Sequence, residues 1–542
     1  MKWERYAFAL AAVIFLWALG GHDLWAPDEP FFAEGAREML ADGHWAVPYI
    51  NGEMNNHKPA FFFWLIALAS LPLGVVTSWS ARLPSAIAAL GTVLLTISIG
   101  RRYCGPKTAA MAAVVLSTTL LFWDKARTAQ IDATLCFFIW AALAAFVDWR
   151  SGNADGRRAG LLFWAATAFA VLAKGPVGLL LVLGITVATL ACDRQLGRLK
   201  AFAPVLGPLV FVLIVGAWMV IATVGSHGEY SVLAALKEHV IDRGIHGTHH
   251  KLPFWYYGQA LPLLLFPWSA LAIGAVVLAW RRRKLSVDRF LLVVAVFVVV
   301  FFSISTEKRG LYVLPAMPAF ALMIARLLAA AQEWFEDVSG DVHGTTMNPR
   351  WVSFAQGFVG ALLAVVGVAV PFAAQRVEEV PASVSLVLGL VLATTGTVVL
   401  VMAVRRWGAH SAIPLAVGTA LAYLVITSLG YPAMEPQKSA RAFALKLKQI
   451  TATSRAQGHE VLAFDLENVP TAIAFYSDGV YTVTTNDSRV LETHLMQDSL
   501  VFAAVDATGL ETLSDEVLQR VVVHHRTRLS RRDILLISNI EG

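Results

Sequence analysis

The chain has 542 residues, 57% hydrophobic and 15% charged, with a net charge of +5. An ordinary soluble domain carries roughly 25% charged residues, so this deficit, together with long apolar runs, excludes a soluble globular fold and points to a lipid-embedded one. The small positive balance carries no signature of nucleic-acid binding, and Cys104, Cys136 and Cys192 have no regular spacing that would suggest a disulfide framework or a thiolate metal site.

A membrane-crossing helix needs about 20 mostly apolar residues. The predicted spans are 6–20, 82–100, 108–123, 133–149, 160–173, 176–191, 203–224, 258–280, 289–304, 311–330, 352–373, 383–403 and 411–429. The chain is therefore expected to be an all-α polytopic membrane protein of about 13 spans. The first run lacks a small-residue cleavage site and reads as a retained anchor.

A further apolar run, 60–77, follows Pro59 and is interrupted by Pro72 and Gly74. Basic clusters occur at Lys2/Arg5, Arg101/Arg102/Lys107, Arg150/Arg157/Arg158, Arg194/Arg198/Lys200, Arg281 to Lys284 and Arg405/Arg406. If 60–77 crossed the bilayer, every later cluster would change sides. If it is re-entrant or lies along the surface, all of them face the cytoplasm. The second arrangement is expected, with the N-terminus inside and the C-terminus outside. The external loops are then 21–59, 124–132, 174–175, 225–257, 305–310, 374–382 and everything after 430, and they hold most of the acids and histidines. Chemistry is expected on that face.

Residues 1–429 form the expected membrane domain, with a first external loop at 21–59, the segment 60–77 and a long loop at 225–257. Residues 430–542 form an expected small external α/β domain. It begins with a helix over Ser439 to Arg455, followed by strands at Val461–Phe464, Ala472–Tyr476, Val480–Thr484, Leu500–Val505 and Ile534–Ile537. Gly458, Asp478-Gly479 and Asn486-Asp487 supply turns.

Several external residues are candidates for chemistry. Asp28 and Glu29 follow the first span, in Trp25-Ala26-Pro27-Asp28-Glu29. They suit a carboxylate general base at the membrane surface; alternatively, Asp28 caps the helix that starts near Pro30. Lys58 precedes the apolar segment and suits a lipid phosphate, or else snorkels to the interface. Asp132 opens a span five residues after Arg127 and reads as a functional acid or as an N-cap. Lys174, in Lys174-Gly175-Pro176, marks an external turn. Lys308 and Arg309 form a cationic pair just before Tyr312, on the side where basic residues are normally scarce, which suits an anionic phosphate. His57 and His250 invite a metal reading, against the alternative of polar loop histidines beside an interfacial aromatic belt.

Taken in order, the motifs are Trp-x-Pro-Asp-Glu (25–29), Gly-x-Trp-x-x-Pro-x-x-Asn-Gly (43–52), Lys-Pro (58–59), Arg-Leu-Pro-Ser-Ala (82–86), Arg-x-x-x-x-Asp (127–132), Lys-Gly-Pro (174–176), His-Lys-x-Pro-Phe-Trp-Tyr-Tyr (250–257) and Lys-Arg-x-x-Tyr-x-x-Pro (308–315). Together they resemble the polyprenyl-phosphate-sugar glycosyltransferases of the ArnT/PMT superfamily, most closely the branch that transfers 4-amino-4-deoxy-L-arabinose to lipid A. The resemblance implies a GT-C fold, a donor sugar on undecaprenyl phosphate and a site facing the periplasm of a bacterial inner membrane. It implies acceptor activation by Asp28, a second essential acid at Asp132, a phosphate contact at Lys58 and a metal-proximal histidine at His250. The chain departs from the pattern at Phe31, where relatives often carry Arg, and at His57-Lys58-Pro59-Ala60, where they often read Glu-Lys-Pro-Pro.

The expected activity is transfer of a sugar from a polyprenyl phosphate to lipid A, or alternatively to protein or another envelope glycan. Lys58, Arg127, Lys174, Lys308, Arg309 and Tyr312 would receive the phosphate. No cofactor is required beyond a possible divalent metal, and the expected partners are the lipid-linked donor, the envelope acceptor and membrane lipids. The rival class is a lipid-linked sugar transporter or flippase, which would place ionisable groups near the bilayer midplane on broken helices, often in two matching halves.

Overall fold

The apolar runs fold as helices because a chain in lipid must satisfy its own backbone groups. The structure, a computed structural model, describes residues 2–55, 58–230, 252–336, 349–375, 381–407, 409–466, 469–481, 483–529 and 532–540. Its helices in chain order are α1 (Lys2–Leu16), α2 (Asp28–Asp42), α3 (Phe61–Ser70), α4 (Ser78–Cys104), α5 (Pro106–Thr118), α6 (Leu120–Ala126), α7 (Ile131–Arg150), α8 (Gly156–Lys174), α9 (Pro176–Cys192), α10 (Leu206–Gly225), α11 (Tyr256–Leu264), α12 (Ser269–Arg281), α13 (Ser286–Ile304), α14 (Met317–Glu336), α15 (Pro349–Ala374), α16 (Ala382–Val404), α17 (Ala412–Val425), α18 (Tyr431–Lys438), α19 (Arg441–Ala456), α20 (Pro470–Ser477) and α21 (Ser488–Leu495). Among the described residues, 8 helices are long and apolar enough to cross a membrane, or up to 10 if the bent pairs α5–α6 (72°) and α11–α12 (113°) each count as one span. The remaining predicted spans fall on α1, α8 and α9. The chain is a multi-span membrane protein. The run 60–77 forms only a short apolar helix over Phe61–Leu73, too short to cross in the manner of its neighbours.

The chain divides into two compact units. The first comprises Met1–Leu19, Asn56–Phe62 and Arg82–Gly430; the second comprises Gly20–Asn55, Phe63–Ala81 and Tyr431–Gly542. The second unit thus joins the first polar loop and the end of the short apolar segment to the C-terminal residues.

In the first unit, α7 and the stretch Gly310–Gln332 are the most buried spans. They are pinned together by Trp140 Nε1 donating to the Pro315 carbonyl at 2.9 Å. The two bent pairs meet at their breaks. Leu120 N donates to the Phe266 carbonyl at 2.9 Å. Trp268 Nε1 donates to Thr118 Oγ1 at 3.0 Å, and Tyr423 Oη donates to the Thr118 carbonyl at 3.0 Å. Each break frees backbone groups that hydrocarbon cannot satisfy, and here the neighbouring helices satisfy them. Helices α15 and α16 approach through glycines. A Cβ on Gly367 would lie 2.3 Å from Ala393 N, and one on Gly396 would lie 2.3 Å from Ala364 N. Small residues of this kind let backbones close in where lipid gives no hydrophobic drive for helix association.

The second unit contains a hairpin of β1 (Tyr49–Ile50) and β2 (Glu53–Met54) and a five-stranded sheet of β3 (Val461–Phe464), β4 (Val483–Thr485), β5 (Phe502–Asp506), β6 (Val522–Leu529) and β7 (Arg532–Ser538). The sheet order is β4-β3-β5-β7-β6, with β4, β3 and β5 parallel and β7 and β6 antiparallel. Alternate residues face opposite sides, so each face carries its own core. Phe443, Leu447, Val461, Ala463, Phe502 and Leu536 pack on one, and Leu462, Phe464, Leu491, Leu495, Val505 and Ile537 on the other.

One expectation for this unit is corrected. Residues 472–476 lie in a helix rather than a strand. Pro470 sits in its first turn and Asp478, at φ +58°, ends it in the left-handed conformation. These start and stop signals outweigh the apolar run between them. In addition, β6 was not anticipated, because its exposed edge carries His524, His525, Arg526 and Arg528 where an apolar pattern would be sought.

Candidate active site

Asp132 is the second residue of α7. Gln130 occupies the N-cap position and makes no side-chain capping bond, so Asp132 is not the cap that its place at the span edge suggested. Lys174 is the last residue of α8. Gly175, at φ +76°, turns the chain sharply there, and Pro176 starts α9 with a φ already suited to a helix. This turn presents the ammonium to the start of α7. Lys174 Nζ donates to Asp132 Oδ1 at 2.5 Å and lies 4.6 Å above the centre of the Tyr312 ring. Both members of the ion pair are mostly buried. Three of the candidate residues, from three separate segments, therefore converge in the first unit, with Phe302 packed 5.2 Å from Tyr312 behind them. An ammonium has three N–H donors; Asp132 takes one, and the aromatic face stabilises the cation without using another.

Lys308 is buried, and its ammonium donates to the carbonyls of Leu252 at 2.9 Å and Ser305 at 2.5 Å. Burial pushes its pKa below the usual lysine value. Arg309 is half-buried, and its carbonyl accepts a bond from Tyr257 Oη at 3.1 Å. Arg127 is buried, with its guanidinium turned to the end of α1, where it donates to the carbonyls of Ile14, Phe15 and Ala18 at 3.0, 2.8 and 3.2 Å. Lys58 is half-buried. His57 and His250 lie outside the described residues. Among the described residues, no group of three or more His, Cys, Asp or Glu side chains could hold a metal ion.

In the second unit, α2 starts at Asp28 itself, with Pro27 in the N-cap position and no side-chain cap. Asp28 and Glu29 therefore sit in the first helical turn, where the helix dipole favours negative charge. Asp28 is half-buried. Glu29 is buried and accepts a bond from Trp25 N at 3.2 Å.

Sequence reasoning did not single out the acids further along α2. Glu34 and Glu38 are both buried, and Arg37 donates to Glu34 at 2.8 and 2.7 Å. Gly52 N donates to both oxygens of Glu38. Burial, reinforced by the charge of Glu34, pushes the Glu38 carboxyl up to about 7. Its signal was visible in the sequence: two like charges four residues apart on one helix oppose each other unless something holds them.

Residues 6–227 match the family model of dolichyl-phosphate-mannose-protein mannosyltransferases. The chain is 29% identical to an undecaprenyl phosphate-alpha-4-amino-4-deoxy-L-arabinose arabinosyl transferase of Pectobacterium carotovorum, over 65% of this chain and 63% of the relative. The match thus spans somewhat less than two thirds of that relative. By structure, the chain resembles ArnT of Cupriavidus metallidurans bound to undecaprenyl phosphate, with a TM-score of 0.78 at 21% identity, covering 100% of this chain and 98% of that one. It also resembles the archaeal oligosaccharyltransferase AglB of Archaeoglobus fulgidus, with a TM-score of 0.57 at 12% identity, covering 93% and 69%. The fold is that of the GT-C group.

Proposed function

We propose that this chain, a member of the superfamily that unites the PMT and ArnT glycosyltransferases, moves a sugar from a polyprenyl phosphate carrier to an acceptor of the bacterial envelope. The favoured donor is an undecaprenyl-phosphate-linked sugar and the favoured acceptor is lipid A, in keeping with the names of the relatives. The protein would work in the inner membrane, with its site on the periplasmic face.

The observation that carries this reading is the convergence of Asp132, Lys174 and Tyr312 at helix ends. A transporter would need its ionisable groups near the middle of the spans; here the paired charges sit at the first turn of α7 and the last of α8. In the proposed reaction the bond between the anomeric carbon and the phosphate oxygen breaks, and its electron pair leaves with the lipid phosphate. The acceptor oxygen bonds to the anomeric carbon, and its proton passes to a carboxylate base, the role the sequence resemblance implies for Asp28. A single displacement inverts the anomeric centre. Lys174 supplies its remaining N–H donors to the departing phosphate, with Lys58, Lys308 and Arg309 adding positive charge and Asp132 holding Lys174 in place. Arg127, whose guanidinium also donates to the carbonyls of Ile14 and Phe15, would add charge from the end of α1. The leaving group is a lipid phosphate, so no nucleotide or redox cofactor enters. A divalent ion at His57 and His250 would be another source of the same positive charge, and chelation of the purified chain distinguishes the two.

The test is transfer of radiolabelled sugar from its lipid phosphate in liposomes by wild type and Asp28→Asn. Loss of transfer in the variant is expected; wild-type turnover would remove Asp28 from the chemistry. Because the family model that matches is named for protein mannosylation, lipid A and a hydroxyl-bearing peptide should be compared as acceptors. Labelled peptide without labelled lipid A would replace the favoured acceptor.

A further inference from the structure

At one end of the first unit's helix bundle, a cavity of about 150 Å³ is lined by Tyr103, Arg150, Asp193, Arg198, Ser286 and Arg289, among others. It forms where α4, α7 and α9 finish and α13 begins, and helices that cross a bilayer end in its headgroup region. Three guanidinium groups face one carboxylate there, leaving two positive charges in excess. Asp193 accepts from Arg150 Nε at 2.5 Å and Nη2 at 3.0 Å, and from Arg289 Nε at 2.6 Å. Burial pushes the Asp193 carboxyl up, but the bonds and charges of the two arginines more than reverse this and hold it below the usual carboxylate range.

Tying helix ends together accounts for Arg150 and Arg289, which also donate to the carbonyls of Ser286, Arg283 and Lys284. It does not account for Arg198. That guanidinium stacks 4.7 Å from the Trp149 ring and uses Nη1 on the Arg150 carbonyl and on Gln195 Oε1. Among the described residues, its Nε and Nη2 hydrogens have no acceptor. A planar fork fixed by stacking, with free donors beside a surplus of positive charge, matches the geometry of a phosphate. The exposed Arg194, Lys200, Arg281, Arg283 and Lys284 of the flanking loops add a long-range field of the same sign.

We propose that this cavity binds the phosphodiester of an anionic phospholipid and that Arg198 is the residue that engages it. The inference does not depend on the transferase reading.

The test is native mass spectrometry of the full-length chain released from nanodiscs of equimolar phosphatidylglycerol and phosphatidylcholine. Wild type is expected to retain phosphatidylglycerol in preference. Arg198→Gln should lower that preference about fivefold, the effect of one basic side chain near a membrane surface. Arg101→Gln, at an exposed arginine outside the cavity, should leave it unchanged. No preference in wild type would overturn the proposal whether or not the variant folds, and so would an equal loss in both variants. A parallel sample in phosphatidylcholine alone, with inorganic phosphate added, distinguishes a soluble ligand. Phosphate retained there, and displacing phosphatidylglycerol from the mixed discs, would assign the site to free phosphate and overturn the lipid.

Discussion

Lys174 and Asp132, 42 residues apart in sequence, join the last residue of α8 to the first turn of α7 through a 2.5 Å ion pair capped by the Tyr312 ring. Removing one member of a buried pair strands the other. Lys174→Met should therefore destabilise the first unit by about 1–3 kcal/mol, below the full buried-pair value because the lysine side chain keeps 17% exposure. Asp132→Asn/Lys174→Met should be more stable than Lys174→Met alone. Transfer should fall at least about 100-fold in either variant, the scale of losing one transition-state donor. Thermal unfolding of Lys174→Met and the double checks the first claim, and a liposome transfer assay checks the second. Equal stability of Lys174→Met and the double would show that the pair is not energetically coupled.

The paired breaks in α5–α6 and α11–α12 make a separate prediction. Trp268→Phe keeps an aromatic ring but removes the donor to Thr118 Oγ1, and Tyr423→Phe removes the donor to the Thr118 carbonyl. Each should cost about 1 kcal/mol, rising toward about 3 where the orphaned group stays dry. The two losses should not add, because both variants free groups of one residue. Unfolding midpoints of the two singles and the double are the measurement. Strict additivity would mean that Thr118 is not the shared anchor.

Much of this was legible in the sequence because hydrocarbon leaves a chain few choices. Runs such as 289–304 and 383–403 admit only a helix, and an ionisable residue at a span edge, such as Asp132 or Lys174, stands out against them. Their partnership was not legible, since it depends on how α7 and α8 pack. Arg127 illustrates the same gap: its guanidinium donates to carbonyls near the end of α1, more than a hundred residues away in sequence, a contact no local signal announces. Outside the apolar spans, local signals compete. Residues 472–476 fit strand and helix equally well until Pro470 and Asp478 are weighed. The acids of α2 were overlooked because their burial comes from tertiary packing.

The glycine contact between α15 and α16 gives a prediction with an internal control. Gly396→Leu places a side chain where the backbone of α15 lies, with Ala364 N at 2.3 Å and the Gly360 carbonyl at 2.5 Å from the added Cβ. Backbone cannot rotate aside as a side chain can, so the helices must separate, at a cost of about 1–3 kcal/mol or more. Gly216→Ala on α10 meets nothing within 4 Å and should be neutral or stabilising by up to about 1 kcal/mol through helix propensity. Thermal stability in one detergent compares the two. A Gly396→Leu protein as stable as wild type would rule out close packing there.

Glu38 makes the stability of the second unit depend on pH, and the sign follows from proton binding. Its carboxyl is raised from the ordinary 4.5 to about 7, first by burial and then by the charge of Glu34; Gly52 N–H and Arg37 pull it partly back. Arg37 is itself held protonated more firmly, chiefly by its hydrogen bond to Glu34. Asp42 and Asp478 line the same cavity as Glu38 and Arg37 and add further negative charge. Between pH 4.5 and about 7 the folded chain holds a proton on Glu38 that the unfolded chain has released. Its contribution is therefore complete below 4.5, declines as pH rises through that window and is gone above about 7, with a slope of at most about 1.4 kcal/mol per pH unit. Glu38→Gln cannot ionise, keeps an oxygen for Gly52 N–H, and should flatten this part of the profile and gain on wild type at pH 8. Hydrogen-exchange protection of α2 and the β1–β2 hairpin at pH 5, 6, 7 and 8 reads this locally, apart from the carboxylates of the membrane spans. If protection rises with pH in wild type, or falls identically in Glu38→Gln, Glu38 is not the titrating group.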